Sequence, residues 1–353
     1  MIRTLKVLGN WSLNQLMGKK RPLVATFCMT HYCNFYCPMC SFGDPDKEGQ
    51  LELVMQKDLT TEQWKQVMSD AANHCVWAII EGGEPTSRED IIELLQHLKN
   101  IGLPVTLITN GSLLHKFDME ELKSNVTTIC CSVDSVREDA YCKVRGVNPA
   151  MYRRVMDNVK ILADYDIPRA INAVITKWNA EEFVTGEYFD FVKKELNVHA
   201  MSLTFVEDRP DAPFSLAPDV ETKRKVSKAV LDYTRKNDDP FIALPMKYWE
   251  QILDHGHTVF DHCGSWKTLF VQADGSIIMP CFKFDSPENR MSVLEHNIEE
   301  IWNQPQWQIT DNCNACENLA CVWYSSQGVF TVAEPYLRGI LALIKSQFMA
   351  RLR

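Results

Sequence analysis

The sequence predicts an α/β protein, namely a partial (β/α)6 barrel similar to a TIM barrel, followed by a small cysteine-rich α+β region. From Leu23 onward, short apolar segments that suit strands alternate with amphipathic segments of helical periodicity. This alternation ends at a proline-rich stretch near residue 210, and after residue 258 turns and cysteines become frequent. Consecutive βα units favour a parallel sheet, and in a curled sheet of this kind a ligand site forms at the carboxyl ends of the strands.

The predicted strands are apolar runs that end at glycine, proline or polar residues. They are Leu23–Met29, Val76–Glu81, Val105–Thr109, Thr127–Val133, Arg169–Thr176 and Met201–Val206. The predicted helices place their apolar residues on one face. They include Thr61–Asn73, Asp90–Asn100, Pro149–Asp164 and Glu181–Leu196.

Prolines and cysteines set the predicted domain boundaries. A proline-rich stretch begins at Arg209, so the core barrel is expected to span 23–210. A helical bridge at 211–258 contains the predicted helices Val220–Arg235 and Met246–His255. The cysteine-rich domain spans 259–328, and the basic amphipathic segments 1–22 and 329–353 form the two ends.

Composition excludes several classes of protein. The chain has 353 residues, 46% of them hydrophobic, which suits one large globular domain with an appendage. No apolar run is long enough to span a membrane, and a net charge of -9 disfavours nucleic acid as a partner. The 13 cysteines, without a signal peptide before them, favour metal binding in a reducing compartment over disulfides. The expected location is therefore cytoplasmic.

The most informative motif places Cys33, Cys37 and Cys40 on one short segment after the first predicted strand. Three thiolates on one loop can ligate three irons of a cubane 4Fe-4S cluster and leave the fourth iron open to a small molecule. Structural zinc instead takes four closed ligands. The spacing therefore predicts a cluster that binds a small reacting molecule at its open iron, and not only a structural metal site.

Two further strand ends carry residues that suit ligand binding. The second strand ends in Gly82, Gly83 and Glu84, and the third ends before Asn110. Paired glycines allow the backbone to approach a ligand closely, and a carboxylate forms charge-assisted hydrogen bonds with an ammonium group. These residues lie at the predicted ligand-binding edge of the sheet.

Together, the cysteine motif and the Gly-Gly-Glu-Pro strand end resemble the radical S-adenosylmethionine (SAM) superfamily, in which both occur in this order. The resemblance implies that the three cysteines hold a 4Fe-4S cluster and that the amino and carboxylate groups of SAM chelate its open iron. It also implies that the two glycines and Glu84 hold the methionine end of SAM.

Other expected SAM contacts follow from the same resemblance. Met39 stands where the family commonly has an aromatic residue that contacts adenine, and its soft side chain still suits a ring. Ser132 and Asp134 end the fourth strand in a segment that lies near SAM in this family, and Asn172 on the fifth strand is a candidate for the ribose. Arg145 resembles an arginine that the family keeps near the SAM carboxylate. The alternatives are ordinary turn formers at the strand ends and an exposed charge at a helix end.

A second set of cysteines surrounds a predicted hairpin over residues 269–281, with its turn at Asp274-Gly275. Its members are Cys263, Cys281, Cys313 and Cys316. The layout resembles the twitch form of the SPASM extension of radical SAM enzymes, which implies a second, fully ligated 4Fe-4S cluster. Zinc is the alternative for these four thiols, and Cys321 is either a packed thiol or a replacement ligand.

Both ends of the chain are basic and amphipathic, although the whole protein is acidic. Residues 1–21 contain lysine and arginine but no acid, and residues 336–353 place leucine, isoleucine and phenylalanine on one stripe. Such segments are typical of helices at a membrane surface, and the alternative is two helices that dock on the barrel. The pair predicts peripheral contact with the inner face of a membrane.

The resemblance implies an enzyme that cleaves SAM to a 5'-deoxyadenosyl radical and removes hydrogen from an unactivated carbon, with an electron donor such as flavodoxin or ferredoxin. The auxiliary cluster would aid oxidation or bond formation. Because of the two ends, the first expectation for the substrate is a lipid, isoprenoid or other membrane-associated small molecule. The alternative is a peptide or protein side chain, although no leader-binding domain is recognised before the barrel. A non-enzymatic alternative, in which both cysteine sets bind structural zinc, leaves the Gly-Gly-Glu-Pro motif unexplained.

Overall fold

The computed structural model describes residues 2–40, 42, 57–208, 214–237, 241–314 and 316. The strands are β1 (Val24–Cys28), β2 (Trp77–Glu81), β3 (Val105–Thr109), β4 (Thr128–Ser132), β5 (Arg169–Ile175), β6 (Ala200–Phe205), β7 (Thr268–Val271), β8 (Ser276–Ile278) and β9 (Arg290–Ser292). The helices are α1 (Ile2–Leu16), α2 (Thr61–Ala71), α3 (Ile91–Asn100), α4 (Met119–Asn125), α5 (Glu138–Arg145), α6 (Pro149–Asp164), α7 (Ala180–Thr185), α8 (Glu187–Lys194), α9 (Val220–Asn237), α10 (Met246–His255) and α11 (Ile298–Trp302).

The main sheet is a half-barrel of seven parallel strands in the order β6-β5-β4-β3-β2-β1-β7. Helices connect the consecutive strands from β1 to β6, so the expected series of βα units is confirmed. All six predicted strands form, and each observed end lies within one residue of the predicted one. Apolar runs identify these strands well because strands of a parallel sheet are covered on both faces or line a cavity.

The two faces of the main sheet differ in polarity. Side chains beneath the helices, such as those of Ala78, Ile80 and Leu107, are fully buried. Alternate residues point to the inner face of the half-barrel, where most side chains from β2 to β6 are half-buried. In register across the sheet, the inner face includes Thr26, Cys28, Ile79, Glu81, Thr106, Ile108, Cys130, Ser132, Ala170, Asn172, Ala200 and Ser202. This face is the surface that the half-barrel offers to a ligand.

The seventh strand, β7, belongs to the region predicted as the cysteine-rich domain, yet it pairs in parallel with β1. The turn expected at Asp274-Gly275 forms, with Gly275 at φ +80°. The strands beside this turn do not form the expected hairpin ladder, because β8 pairs with β9 instead. Leu269 and Val271 are fully buried, so packing in the main core favours the position of β7 beside β1.

One predicted helix is interrupted. The segment Glu181–Leu196 contains α7 and α8, which are separated by Gly186 at φ +81°. Because only glycine adopts this backbone conformation at little cost, the chain changes direction there. Phe183 and Phe189, on either side of the break, are both fully buried, so both helices still pack on the sheet.

The helix α1 docks on the barrel by one face and exposes an apolar stripe on the other. Val7 is 4% exposed, and Trp11 Nε1 donates a hydrogen bond to the Arg21 backbone oxygen at 3.0 Å. Arg3 Nε donates to the Gly102 backbone oxygen at 3.1 Å. The stripe on the opposite face consists of Ile2, Leu5, Leu13 and Leu16, with exposed fractions of 83%, 63%, 58% and 85%. Docking therefore accounts for only part of the apolar character of the N-terminal segment.

Three expectations concern parts of the chain outside the described residues: the basic segment 329–353, Cys321 and the prolines within 209–213. Among the helices that the structure describes, none has the length and hydropathy needed to cross a membrane.

The docking of α1 predicts different effects for its two faces. Val7→Ala should lower the free energy of unfolding by about 1–2 kcal/mol, because it removes packed methyl groups. Leu13→Ala should change it by no more than about 0.5 kcal/mol, because the side chain is exposed. Urea unfolding of the two variants measures the difference, and equal losses would contradict docking through the Val7 face.

Candidate functional site

The cysteine loop, defined here as residues 29–40, follows β1 and is anchored at its start. Thr30 Oγ1 donates a hydrogen bond to Asp58 Oδ2 at 2.6 Å, and His31 N donates to the same oxygen at 3.2 Å. Arg88 Nη1 donates to the Met29 backbone oxygen at 3.0 Å. These bonds fix the direction in which the chain leaves the sheet.

The glycine pair after β2 allows direct backbone contact with the cysteine loop. A Cβ atom on Gly83 would lie 1.9 Å from the Tyr32 backbone oxygen, so no other residue fits. At this contact Gly83 N donates to Thr30 O at 2.8 Å and Glu84 N donates to Tyr32 O at 2.7 Å. Gly82 adopts φ +123°. The close approach expected of these glycines is therefore made, at least in part, to the cysteine loop.

A second glycine contact holds the other side of the loop. Gly146 ends α5 at φ +63°, and a Cβ atom there would lie 2.1 Å from the Tyr36 backbone oxygen. In the sequence this glycine is indistinguishable from an ordinary C-terminal cap after a helix. Its place next to Arg145 was the available signal.

The three thiols of the loop lie close enough to interact electrostatically. Cys37 is buried, and Cys33 and Cys40 are half-buried. Burial raises the pKa of Cys33 to about 12 and that of Cys37 to about 11, although the Arg145 cation acts in the opposite direction on Cys37. Because the metal ligand is the thiolate, iron binding to this loop must release protons.

The donor set fits an iron-sulfur cluster. Within the described ranges, no three histidine, cysteine or acidic side chains converge as ligands of a single metal ion would. A cubane cluster has its irons at separate corners, so its thiolates surround a volume instead of meeting at one ion. Three soft thiols beside the buried Arg145 guanidinium suit an anionic cluster of this kind.

Arg145 connects the cysteine loop to the end of β4. Its Nε lies 2.7 Å from Asp134 Oδ2, and its Nη1 lies 3.8 Å from Cys37 Sγ. Asp134 is fully buried, and its Oδ1 accepts a hydrogen bond from Val174 N at 2.8 Å. A cation beside a thiol favours the thiolate. Arg145 is therefore not an exposed helix-end charge, and its guanidinium lies at a candidate cluster ligand.

Glu84 is 1% exposed and connects the ends of β2 and β3. Its Oε1 accepts hydrogen bonds from Thr86 N at 3.0 Å, from the Thr86 hydroxyl and from Thr109 Oγ1 at 2.6 Å. Its Oε2 accepts one bond, from Asn110 N at 2.7 Å. Burial raises the pKa of Glu84, and these hydrogen bonds oppose the shift. Of the two carboxylate oxygens, Oε2 has the greater remaining capacity for a ligand.

The Asn110 side chain also bonds to the cysteine loop. Its Nδ2 donates to Asn34 Oδ1 at 2.8 Å, and its Oδ1 accepts from Ser112 N at 2.9 Å. Asn34 Nδ2 donates to Ser112 Oγ at 2.9 Å. Asn34 and Ser112 were missed by sequence analysis, because polar loop residues carry no distinctive spacing. This network couples the loop to the end of β3.

The remaining residues expected to contact SAM lie at three positions. Ser132 and Asn172 are paired in register on the inner face, so the structure brings them together. Met39 is half-buried on the cysteine loop and packs against the hydrophobic core. Asp134 is separated from Ser132 by one residue, yet its carboxylate is buried with Arg145. Ser132 and Asn172 therefore lie on the inner face, Met39 lies on the cysteine loop, and Asp134 lies beside Arg145.

The second cysteine set is also brought together. Cys281 interacts electrostatically with Cys263 and Cys313, and Cys316 interacts with Cys281 and Cys263. Cys263 and Cys316 are each 6% exposed. Burial raises the pKa of Cys316 to about 12 and also raises that of Cys281. Thiols separated by more than fifty residues in the chain thus share one small region.

Comparison with known proteins identifies the core region. Residues 27–185 match the Radical SAM superfamily. The PqqA peptide cyclase of Bradyrhizobium diazoefficiens is 33% identical over 164 residues, which are 46% of this chain and 41% of the cyclase. A probable GTP 3',8-cyclase of Saccharolobus islandicus is 27% identical over 283 residues, 77% of this chain and 87% of that protein. This chain thus spans less than half the length of the peptide cyclase.

The solved structure of Streptococcus suis SuiB bound to S-adenosylmethionine has the same fold, with a TM-score of 0.68 at 19% identity. The superposition covers 85% of this chain and 70% of SuiB. The matched region begins at Phe27 in β1 and contains the cysteine loop, the glycine pair and the network around Glu84. Residues 27–185 of this chain are therefore a radical SAM domain.

Proposed function

We propose that the protein is a radical SAM enzyme that removes a hydrogen atom from a substrate carbon on the inner face of the half-barrel. The observation that carries the proposal is the position of the three loop thiols, which lie at the carboxyl end of β1 beside Arg145 and the polar inner face. A 4Fe-4S cluster held by these thiols, once reduced by a small redox protein such as flavodoxin or ferredoxin, would supply the electron for cleavage of SAM to methionine and a 5'-deoxyadenosyl radical.

Residues of the chain itself would hold the cluster and SAM in position. Cys33, Cys37 and Cys40 would hold the cluster, and Arg145 would offset its negative charge. Oε2 of Glu84 and the backbone of the glycine pair are the groups we assign to the methionine end of SAM. Met39, Asn110, Ser132, Asp134 and Asn172 are the further proposed contacts, of which Ser132 and Asn172 lie on the inner face.

The second cysteine set supports an auxiliary cluster. Cys263, Cys281, Cys313 and Cys316 are drawn together from distant parts of the chain, and such a group of thiols suits four-ligand metal binding. We propose a fully ligated 4Fe-4S cluster there, which would accept an electron from the substrate radical.

A peptide is the substrate class that we favour. The relative that is 33% identical over its matched region is named a peptide cyclase, and the inner face of the half-barrel is partly open and polar. The lipid substrate expected from the two ends has no counterpart in the names of the relatives reported above. The exposed stripe of α1 nevertheless supports contact with a membrane as a second, separate proposal.

The two clusters predict a simple iron balance. Anaerobically reconstituted protein should contain two 4Fe-4S clusters, and replacing the three loop cysteines by alanine should remove about half of the iron. The same variant should form no 5'-deoxyadenosine, because the open iron is lost. Iron analysis and product chromatography measure both quantities. Full iron content in the variant, or zinc in place of iron at both sites, would contradict the assignment.

The hydrogen bonds of Glu84 predict that Glu84→Gln lowers both the free energy of unfolding and the affinity for SAM. Glutamine keeps one acceptor oxygen but points an amino group at a backbone donor, so the free energy of unfolding should fall by about 1–3 kcal/mol. SAM affinity should fall about tenfold or more if Oε2 holds the SAM ammonium. Thr109→Val is the matched control, since it removes one bond to Oε1 and leaves Oε2 intact. A control that weakens SAM binding as much as Glu84→Gln would assign Glu84 a purely structural role.

The apolar stripe of α1 predicts binding to anionic liposomes. Lys6 and Lys19 are exposed near the stripe, and each would contribute about 1 kcal/mol to the free energy of binding to an anionic surface. Because salt screens this attraction, binding should weaken as the salt concentration rises. Leu5→Gln with Leu13→Gln keeps the net charge and should abolish co-sedimentation, because only the apolar contact is lost. Equal recovery of the parent and the double variant with the liposomes would exclude a role of the stripe.

A further inference from the structure

Glu81 occupies an unusual position on the inner face. It is the last residue of β2, immediately before Gly82, and it pairs in register with Cys28 of β1. Its backbone oxygen accepts a hydrogen bond from Met29 N at 2.8 Å. Its carboxylate, in contrast, has no hydrogen bond or ion pair with any residue that the structure describes.

The three fully buried acids that the structure describes in the half-barrel, in contrast, all have partners. Glu84 accepts hydrogen bonds at both oxygens, and Asp134 pairs with Arg145. Glu182 accepts bonds from the Ser135 hydroxyl and from Val136 N. Glu81 is half-buried, and a carboxylate that is withdrawn from much of the solvent without such partners is costly, so this position favours a ligand that supplies them.

Among the residues that the structure describes, no cation compensates the charge of Glu81. Among the inner-face residues defined above, its neighbours are the thiols of Cys28 and Cys130 and the aliphatic side chains of Ile79 and Ile108, and none is lysine or arginine. Burial raises the pKa of the Glu81 carboxyl to about 7. A cation that entered this part of the half-barrel would therefore find a single acceptor of opposite charge.

We propose that Glu81 binds a cationic nitrogen of the substrate, either an ammonium or a guanidinium group. Such a group supplies both the missing counter-charge and the hydrogen-bond donors, and charge-assisted bonds of this kind are the strong ones. The inference rests on the proposed function, because that function places the substrate on the inner face. It narrows the substrate class to molecules, peptides among them, that present a basic group close to the reacting carbon.

SAM also carries a positive charge, on its sulfonium, and it would bind at the same edge of the sheet. The SAM sulfonium and a basic group of the substrate would each place a cation beside Glu81. Separate titrations distinguish the two ligands. The probes are n-hexylammonium, its neutral analogue n-hexanol, and SAM itself. Calorimetry on the anaerobically reconstituted protein reports each affinity without requiring turnover.

With SAM present, n-hexylammonium should bind the parent about tenfold more tightly than it binds Glu81→Gln, whereas n-hexanol should bind both proteins alike. Ser202→Ala is the matched control, since Ser202 lies on the same face on the distant strand β6. Equal affinities of the parent for the two probes, or an unchanged affinity in Glu81→Gln, would overturn the proposal. A loss of SAM affinity with unchanged amine affinity would assign the carboxylate to the sulfonium instead.

A second measurement does not depend on any ligand. The pKa of Glu81 in the folded protein, about 7, lies above the ordinary value of 4.5, so its charged form destabilises the fold increasingly as the pH rises through this interval. Glu81→Gln should therefore unfold at higher urea than the parent at about pH 8, and at similar urea at about pH 4. A parent that is the more stable protein at about pH 8 would reveal a partner for the carboxylate and overturn the proposal.

The proposed function is tested separately on the parent protein alone. Formation of 5'-deoxyadenosine from SAM under reducing conditions requires no substrate amine. If the parent forms none, the enzyme assignment fails whatever the calorimetry shows. If it forms 5'-deoxyadenosine but n-hexylammonium binds no better than n-hexanol, only the role of Glu81 fails.

Discussion

Two backbone contacts without space for a side chain hold the cysteine loop, and much of the site depends on them. Gly83 lies against Tyr32 on one side of the loop, and Gly146 lies against Tyr36 on the other. Each glycine adjoins a charged residue in sequence. The first contact therefore places Glu84 between the ends of β2 and β3, and the second places Arg145 at Cys37. A larger residue at either glycine would displace the loop together with its charged neighbours.

Contacts within the protein hold the edge of the half-barrel together. Asn110 bonds to Asn34 of the cysteine loop, and Asp134 neutralises Arg145 within the protein. Such contacts reduce the number of conformations that the loop must give up when a ligand binds, which favours affinity through preorganisation. The glycines and Glu84 thus serve the architecture of the loop as well as the proposed contacts to SAM.

Much of the fold could be predicted from local patterns, because the strands of the core are continuous apolar runs and their order follows from βα connections. The pairing of β7 could not, since it depends on competition between β1 and β8 for one short strand. The cysteine loop stood out as a candidate site by its spacing alone. Glu81 did not, because nothing in a sequence shows that a carboxylate lacks a partner. Its meaning emerged only when register placed it on the inner face without a counter-charge.

The parallel pairing of β7 with β1 joins the two cysteine sets mechanically. The strand β1 leads directly into the cysteine loop, while β7 follows Cys263 and precedes Cys281. If the C-terminal region, meaning residues 259–316, moved, it would displace β7 and with it β1, the strand that leads into the cysteine loop. For protein engineering, this means that the C-terminal region is not an interchangeable module. A chimera that imports this region from a relative also replaces one edge strand of the barrel, and its junction must preserve the register between Val24 and Thr268.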